Sequence, residues 1–152
     1  MRYLGIDPGT TRIGFAVIED DGRALRALSW GILAAVDGAP GVADALDELI
    51  RTWAPDAAAI EKLFFLNNKR SAMAVSEMRG VLMLTLARRQ LPTYEFTPLQ
   101  VKQQVCGHGR ADKLQVERVV RMLLKIRQPI RPDDAADALA LALCCSAVHR
   151  SR

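Results

Sequence analysis

Along the first third of the chain, apolar residues come in short runs separated by turn formers. Residues 2–7 and 13–19 are rich in β-formers and flank Pro8-Gly9-Thr10-Thr11-Arg12, and Asp20-Asp21-Gly22-Arg23 offers a second turn ahead of residues 24–32. That pattern predicts three consecutive antiparallel strands. The spacing then changes to a helical one: Val42, Leu46, Leu49, Ile50 and Trp53 share a face, and Pro55 ends the segment. Residues 56–61 form a short run apolar enough for a central strand covered on both sides.

After a loop from Lys62 to Lys69, a long helix is predicted over 70–89. It has Ala72, Val75, Leu82 and Leu86 on one side and Met73, Gly80, Met83 and Leu84 around the other. Two apolar faces suggest that one packs on the sheet and the other on a second subunit. Residues 93–96 read as a fifth strand, and Pro98 is placed to start a helix over 98–106 that Gly107-His108-Gly109-Arg110 breaks. Helical spacing returns over 112–126. A loop with two prolines follows, and Asp133 or Asp134 can cap a last helix running to about Val148. The expected class is α/β: a mixed five-stranded sheet, three antiparallel strands then two more, flanked by helices.

With 152 residues, the chain is expected to form one domain, 1–152, with an ordinary apolar core. Cys106, Cys144 and Cys145 show neither a disulfide framework nor metal-ligand spacing, and His108 and His149 form no cluster with them, so zinc is not expected. The N-terminus starts with strand-like residues and no leader pattern. The apolar stretch from Ala138 to Val148 is too short for a bilayer, which takes about 20 residues. The expected location is the cytoplasm.

The chemistry lies in the acids at the ends of apolar runs. Asp7 closes Tyr3-Leu4-Gly5-Ile6, Glu61 closes Ala57-Ala58-Ala59-Ile60, and Asp134 and Asp137 sit three apart ahead of Ala138-Leu139-Ala140. Asp7 also suits a turn before Pro8-Gly9, and Asp133 and Asp134 also suit a helix cap. Glu61 is harder to explain locally, because a glutamate where a central strand runs out points into the crevice at the strand's carboxyl end. Carboxylates gathered at buried element ends need a cation. Oxygen-only ligands suit Mg²⁺ or Mn²⁺, and two such ions about 3.5–4 Å apart serve phosphodiester hydrolysis. The net charge of +4, in spite of these acids, places the excess of Lys and Arg elsewhere, as gripping phosphates requires.

These residues resemble the RuvC Holliday junction resolvases of the RNase H-like superfamily. The resemblance covers nearly the whole chain. It rests on Gly5-Ile6-Asp7-Pro8-Gly9-Thr10-Thr11 with Gly14, Ala59-Ile60-Glu61, Arg79-Gly80, Gln100-Val101-Lys102-Gln103, Gly107 with Gly109, Lys113 and Gln115-Val116, and Asp134 to Ala140. It implies an RNase H-like fold and a homodimeric, metal-dependent endonuclease that cuts four-way junction DNA symmetrically in recombination and repair, working with a branch-migration motor of the RuvA/RuvB type. Position by position, Asp7, Glu61, Asp134 and Asp137 match the family's metal-binding catalytic acids, and Lys102 and Lys113 its functionally important lysines. Phe64 matches an aromatic set against junction bases, a sensible stacking role beside Asn67, Asn68, Lys69 and Arg70. Lys69, Arg70, Arg110, Arg118 and Arg121, with the two lysines, are expected to form a phosphate-binding rim. Asp133 leaves a one-residue ambiguity that the three-residue step to Asp137 resolves toward Asp134.

Other classes share parts of the pattern. Gly5-Ile6-Asp7 with Gly9-Thr10-Thr11 also resembles the phosphate loop of actin-like ATPases, but those need a duplicated domain and no repeat is visible. Thr11-Arg12-Ile13-Gly14 resembles YqgF-type RNase H-like proteins acting on RNA. A junction-binding module without cleavage would keep the rim and lose metal dependence.

Overall fold

The computed structural model describes residues 1–34, 38–62 and 69–150. Ten elements follow one another: β1 Arg2–Asp7, β2 Arg12–Asp20, β3 Leu25–Ala34, α1 Gly38–Trp53, β4 Ala57–Glu61, α2 Lys69–Arg88, β5 Thr93–Phe96, α3 Pro98–Cys106, α4 Lys113–Leu124 and α5 Asp133–His149. The strands form one five-stranded sheet in the order β3-β2-β1-β4-β5. β1, β2 and β3 are antiparallel neighbours, whereas β4 runs parallel to β1 and β5 parallel to β4. The mixed sheet expected from the sequence is therefore the one observed.

Register fixes what the strand ends can do. Ile6 lies opposite Ile60, so the next residues, Asp7 and Glu61, finish adjacent parallel strands at the same edge. Side chains alternate between faces along a strand. Ile6 and Ile60 pack with Leu4, Val17, Val42, Leu46, Leu82 and Leu86 on the α1–α2 side. Asp7 and Glu61 consequently turn toward the opposite face, which α5 covers.

The two faces are packed differently. On the α1–α2 side branched residues fill the core, but on the α5 side Ala16, Ala57 and Ala59 meet Ala135, Ala138 and Ala142. Small residues on both surfaces let the helix lie close to the strands. At Gly5 a β-carbon would stand 1.9 Å from the carbonyl oxygen of Ala138, and at Gly14 one would stand 2.1 Å from that of Asp134. These glycines are the seats that hold α5, and with it Asp134 and Asp137, over the end of β1. Because α5 is buried on nearly every side from Ala135 to Ser146, its sequence shows little polar alternation. Cys144 and Cys145 lie in this packing, and burial pushes both thiols up to about 12.

Local signals account for the helix ends. Thr97 caps α3 and Asp112 caps α4, each in a reciprocal capping box with a glutamine, and Gly107 closes α3 in the left-handed conformation. Three expectations need correction. α5 is not capped by Asp133 or Asp134: Pro132 stands at its N-cap without a side-chain bond, and both acids lie in the first turn. Salt bridges to Arg131 and Arg12 hold them there, where the helix dipole favours negative charge. α4 stops at Leu124, two residues early, because Lys125 takes a left-handed turn. Met83 packs against the core beside Leu82 and Leu86, leaving Met73, Gly80 and Leu84 on the exposed side of α2. Among the described residues, no helix is long and apolar enough to cross a membrane.

Candidate active site

Asp7 and Glu61 are brought together by the parallel pairing of β1 and β4, and their side chains share a hydrogen bond. Burial, then the charges of Glu61, Asp137 and Asp134, push the Asp7 carboxyl up to about 8. Burial and the Asp137 charge also raise Glu61. Asp137 is raised by burial although Lys113 opposes the shift. Four acids from three elements thus feel one another across one edge of the sheet, with too little positive charge to settle them.

Two cations reach into this group and hold two of its members. Lys113 Nζ lies 3.4 Å from Asp137 Oδ2, and Arg12 Nη2 lies 3.4 Å from Asp134 Oδ2. Asp137 is the main cause that raises the lysine. With Asp134 and Asp137 drawn to these partners, no three carboxylates among the described residues close into a ready-made metal cage. The donor set is nonetheless all oxygen, partly buried and mutually repelling, which is the chemistry a hard divalent cation relieves. Asp133, in contrast, is 71% exposed and paired with Arg131, whereas Asp134 is 27% exposed and faces the acids.

Arg79 supports the site from behind. Its Nε donates to the Glu61 carbonyl oxygen at 3.2 Å and its guanidinium pairs with Glu95 on β5. The side chain thereby ties the ends of β4 and β5 to α2. The sequence reading gives neither Arg79 nor Arg12 a role; Arg79 is visible there only as part of a motif, and Arg12 only as a charge in the turn after Asp7. A cleft of about 440 Å³ opens beside the acids between α4 and α5, lined by Lys113, Leu114, Glu117, Arg131, Asp133, Ala136 and Asp137.

The remaining sequence-derived residues divide into two groups. Lys102 sits half-buried on α3 and Arg110 is exposed in the α3–α4 loop, and neither makes an ion pair among the described residues. Phe64 lies outside the described residues, as do the side chains of Lys69 and Arg70.

An antiparallel β1–β2–β3 unit extended by parallel β4 and β5, with carboxylates at the ends of β1 and β4 and on a helix laid across them, is the frame of an RNase H-like nuclease. The sequence profile of "Crossover junction endodeoxyribonuclease RuvC" matches residues 3–145. The chain is 43% identical over 157 residues to the RuvC of Petrotoga mobilis, covering 99% of this chain and 96% of that protein. It is 48% identical over 149 residues to the RuvC of Synechococcus sp. WH7803, covering 94% and 96%. The structure of T. thermophilus RuvC in complex with a Holliday junction substrate superimposes with a TM-score of 0.92 at 31% identity, covering 99% of this chain and 96% of that one. This protein belongs to the RuvC family of crossover junction endodeoxyribonucleases.

Proposed function

We propose that this chain resolves four-way DNA junctions by symmetric, divalent-metal-dependent phosphodiester hydrolysis in recombination and repair, as one RNase H-like domain acting in the cytoplasm. The observation that carries the reading is the set of mutually repelling acids at the ends of β1 and β4 and the start of α5, where burial and then the neighbouring charges raise Asp7 to about 8. Asp7, Glu61, Asp134 and Asp137 would hold the metal, Mg²⁺ or Mn²⁺, in a pair. Bound there, such ions supply activation of water and stabilisation of the leaving oxygen.

The chain's own residues do the rest. Asp7 and Glu61, whose carboxyls share a hydrogen bond, would hold a cation between them. Lys113, 3.4 Å from Asp137, would supply positive charge where negative charge grows on the phosphate. Arg79 fixes the Glu61 backbone so that its carboxylate does not drift with the strand end. Phe64, Lys69, Arg70, Lys102 and Arg110 are assigned to junction bases and backbone by resemblance. A homodimer is supported by the exposed stripe of Met73, Gly80 and Leu84 on α2, with open space over Gly80. Two sites related by a two-fold axis would give paired cuts. A motor of the RuvA/RuvB type is the partner that the family suggests.

The test is to incubate the protein with an end-labelled four-way junction and a matched linear duplex in Mg²⁺, Mn²⁺ or EDTA, mapping products to the nucleotide. Metal-dependent nicks on two opposed strands, confined to the junction, are expected. Junction binding without nicks in either metal would make the protein a recognition module instead.

A further inference from the structure

Among the described residues, eight arginines have an acidic partner. Arg2 pairs with Glu19, Arg51 with Glu48, Arg79 with Glu95, Arg89 with Asp47, and Arg131 with Glu117 and Asp133. The outer face of α4 breaks this habit. Val116, Val120 and Leu124 bury one side of the helix, and Arg118, Arg121, Met122 and Lys125 follow on the other at the i, i+3, i+4, i+7 spacing of a single stripe. With Ile126 and Arg127 they line a shallow groove of about 390 Å³ that contains no acidic residue.

The groove is held in shape by one of its own cations. Arg121 donates through Nε to the Ile126 carbonyl at 3.4 Å and also bonds the Arg127 carbonyl, folding the following loop back against the helix. Arg127 is thereby kept beside the stripe. Arg118, Lys125 and Arg127 are exposed and make no ion pair among the described residues. The helix dipole accounts for cations in the last turn, since its influence fades beyond that turn; it does not account for Arg118 or for Arg127. A concave surface that collects four cations and excludes acids is complementary to a chain of phosphates.

The position of the groove selects which polyanion. α4 starts at Lys113, beside Asp137, and along its axis the stripe from Arg118 to Lys125 lies about 8 to 18 Å beyond that start. At about 3.4 Å per base pair along one strand, that span is roughly two to five steps of duplex DNA. Resting on the nuclease reading, we propose that the groove formed by Arg118, Lys125 and Arg127 grips the phosphate backbone of a junction arm about two to five base pairs from the cut. Its contribution is sequence-independent: it orients an arm relative to the acids and makes affinity depend on salt.

The test replaces Arg118, Lys125 and Arg127 together by glutamine and leaves Arg121, which shapes the loop, in place. Binding of a four-way junction is followed by fluorescence anisotropy in EDTA over a range of salt. A second junction carries uncharged methylphosphonates at the phosphates about two to five steps from the cut. The slope of log affinity against log salt should fall by about 2 to 3, near 0.9 for each phosphate no longer neutralised. Methylphosphonates should weaken the unaltered protein several-fold and leave the triple variant almost unaffected. A companion variant with Arg118→Lys and Arg127→Lys should restore the slope, which separates loss of charge from loss of fold. An unchanged slope in the triple variant would overturn the proposal and leave the groove as a surface for an acidic protein. Equal methylphosphonate effects in both proteins would overturn it as well. Cutting of the unmodified junction by the unaltered protein, measured separately, decides the nuclease reading whatever the groove does.

Discussion

Asp7 and Asp20 lie at opposite ends of the β1–β2 hairpin, and α5 packs across both strands. Both are aspartates withdrawn from water, yet their carboxyls move in opposite directions. Asp7 is raised because burial is joined by the charges of Glu61, Asp137 and Asp134. At Asp20 burial also raises the carboxyl, but hydrogen bonds from the Gly22 amide, the Ser146 hydroxyl and Arg150 outweigh it, so the group is lowered overall. Around it the N-terminal amine bonds the Asp20 carbonyl, and His149 packs edge-on between Tyr3 and Tyr94. One end of the hairpin is a closed staple that fastens the last helix to the sheet. The other is a set of acids held close without closure. A buried carboxylate with its partners present belongs to the structure, and one surrounded by its own kind is available for a ligand.

Exchanging each aspartate for asparagine tests the contrast most strongly. Asp7→Asn should lower junction cutting by about 10³-fold or more, since it removes part of a charge arrangement responsible for several kcal/mol of barrier reduction. It should leave junction binding in place and raise the melting temperature in EDTA, because it relieves repulsion. Asp20→Asn should do the reverse, costing about 2 kcal/mol of stability with cutting per folded molecule preserved. Cleavage assays and thermal melts on both variants measure it. Equal losses of stability from the two would dissolve the distinction.

Shifting the helix that carries two of the acids has an intermediate effect. Gly14→Ala places a methyl where the Asp134 carbonyl now stands, so α5 must move at the end near the site. Overpacking of this kind costs about 1–3 kcal/mol. The loss of cutting should be larger than that stability loss suggests, because Asp134 and Asp137 leave their positions together. Titrating Mn²⁺ in the cleavage assay should show a weaker metal dependence than the unaltered protein.

The smallest effect is a difference in pH dependence. A raised carboxyl keeps its proton in the folded state over a range where the unfolded chain has lost it. Asp7 therefore contributes stability that is full below about pH 4 and is lost as pH rises toward about 8. Asp20 is lowered, so its contribution is present above the ordinary carboxylate range and is lost as pH falls through its folded value. Melting in EDTA should thus lose stability between about pH 5 and 8, by no more than about 1.4 kcal/mol per unit from Asp7. Millimolar Mg²⁺ should flatten that slope, and Asp7→Asn should reduce it to what the raised Glu61 and Asp137 contribute. A profile that Mg²⁺ leaves unchanged would place the slope elsewhere in the molecule.

Much of this molecule was legible in its residues. Turn formers between apolar runs marked β1 to β3, Pro55 and Pro98 set helix boundaries, and each of the four acids stood at the end of an apolar run or just ahead of one, where burial without a partner is costly. Such signals are local, so a linear reading finds them. What the sequence did not contain was who meets whom. Parallel pairing of β1 with β4 makes neighbours of Asp7 and Glu61, 54 residues apart. Glycine and alanine seats, unremarkable as letters, set how close α5 lies and so whether its acids reach the same edge. Arg12 and Arg79 took their partners only in the fold, and the four cations of the α4 groove became a surface only when Arg121 turned the loop back. Charge and size are properties of residues. Repulsion, closeness and complementarity are properties of their arrangement in space, which only the packed chain decides.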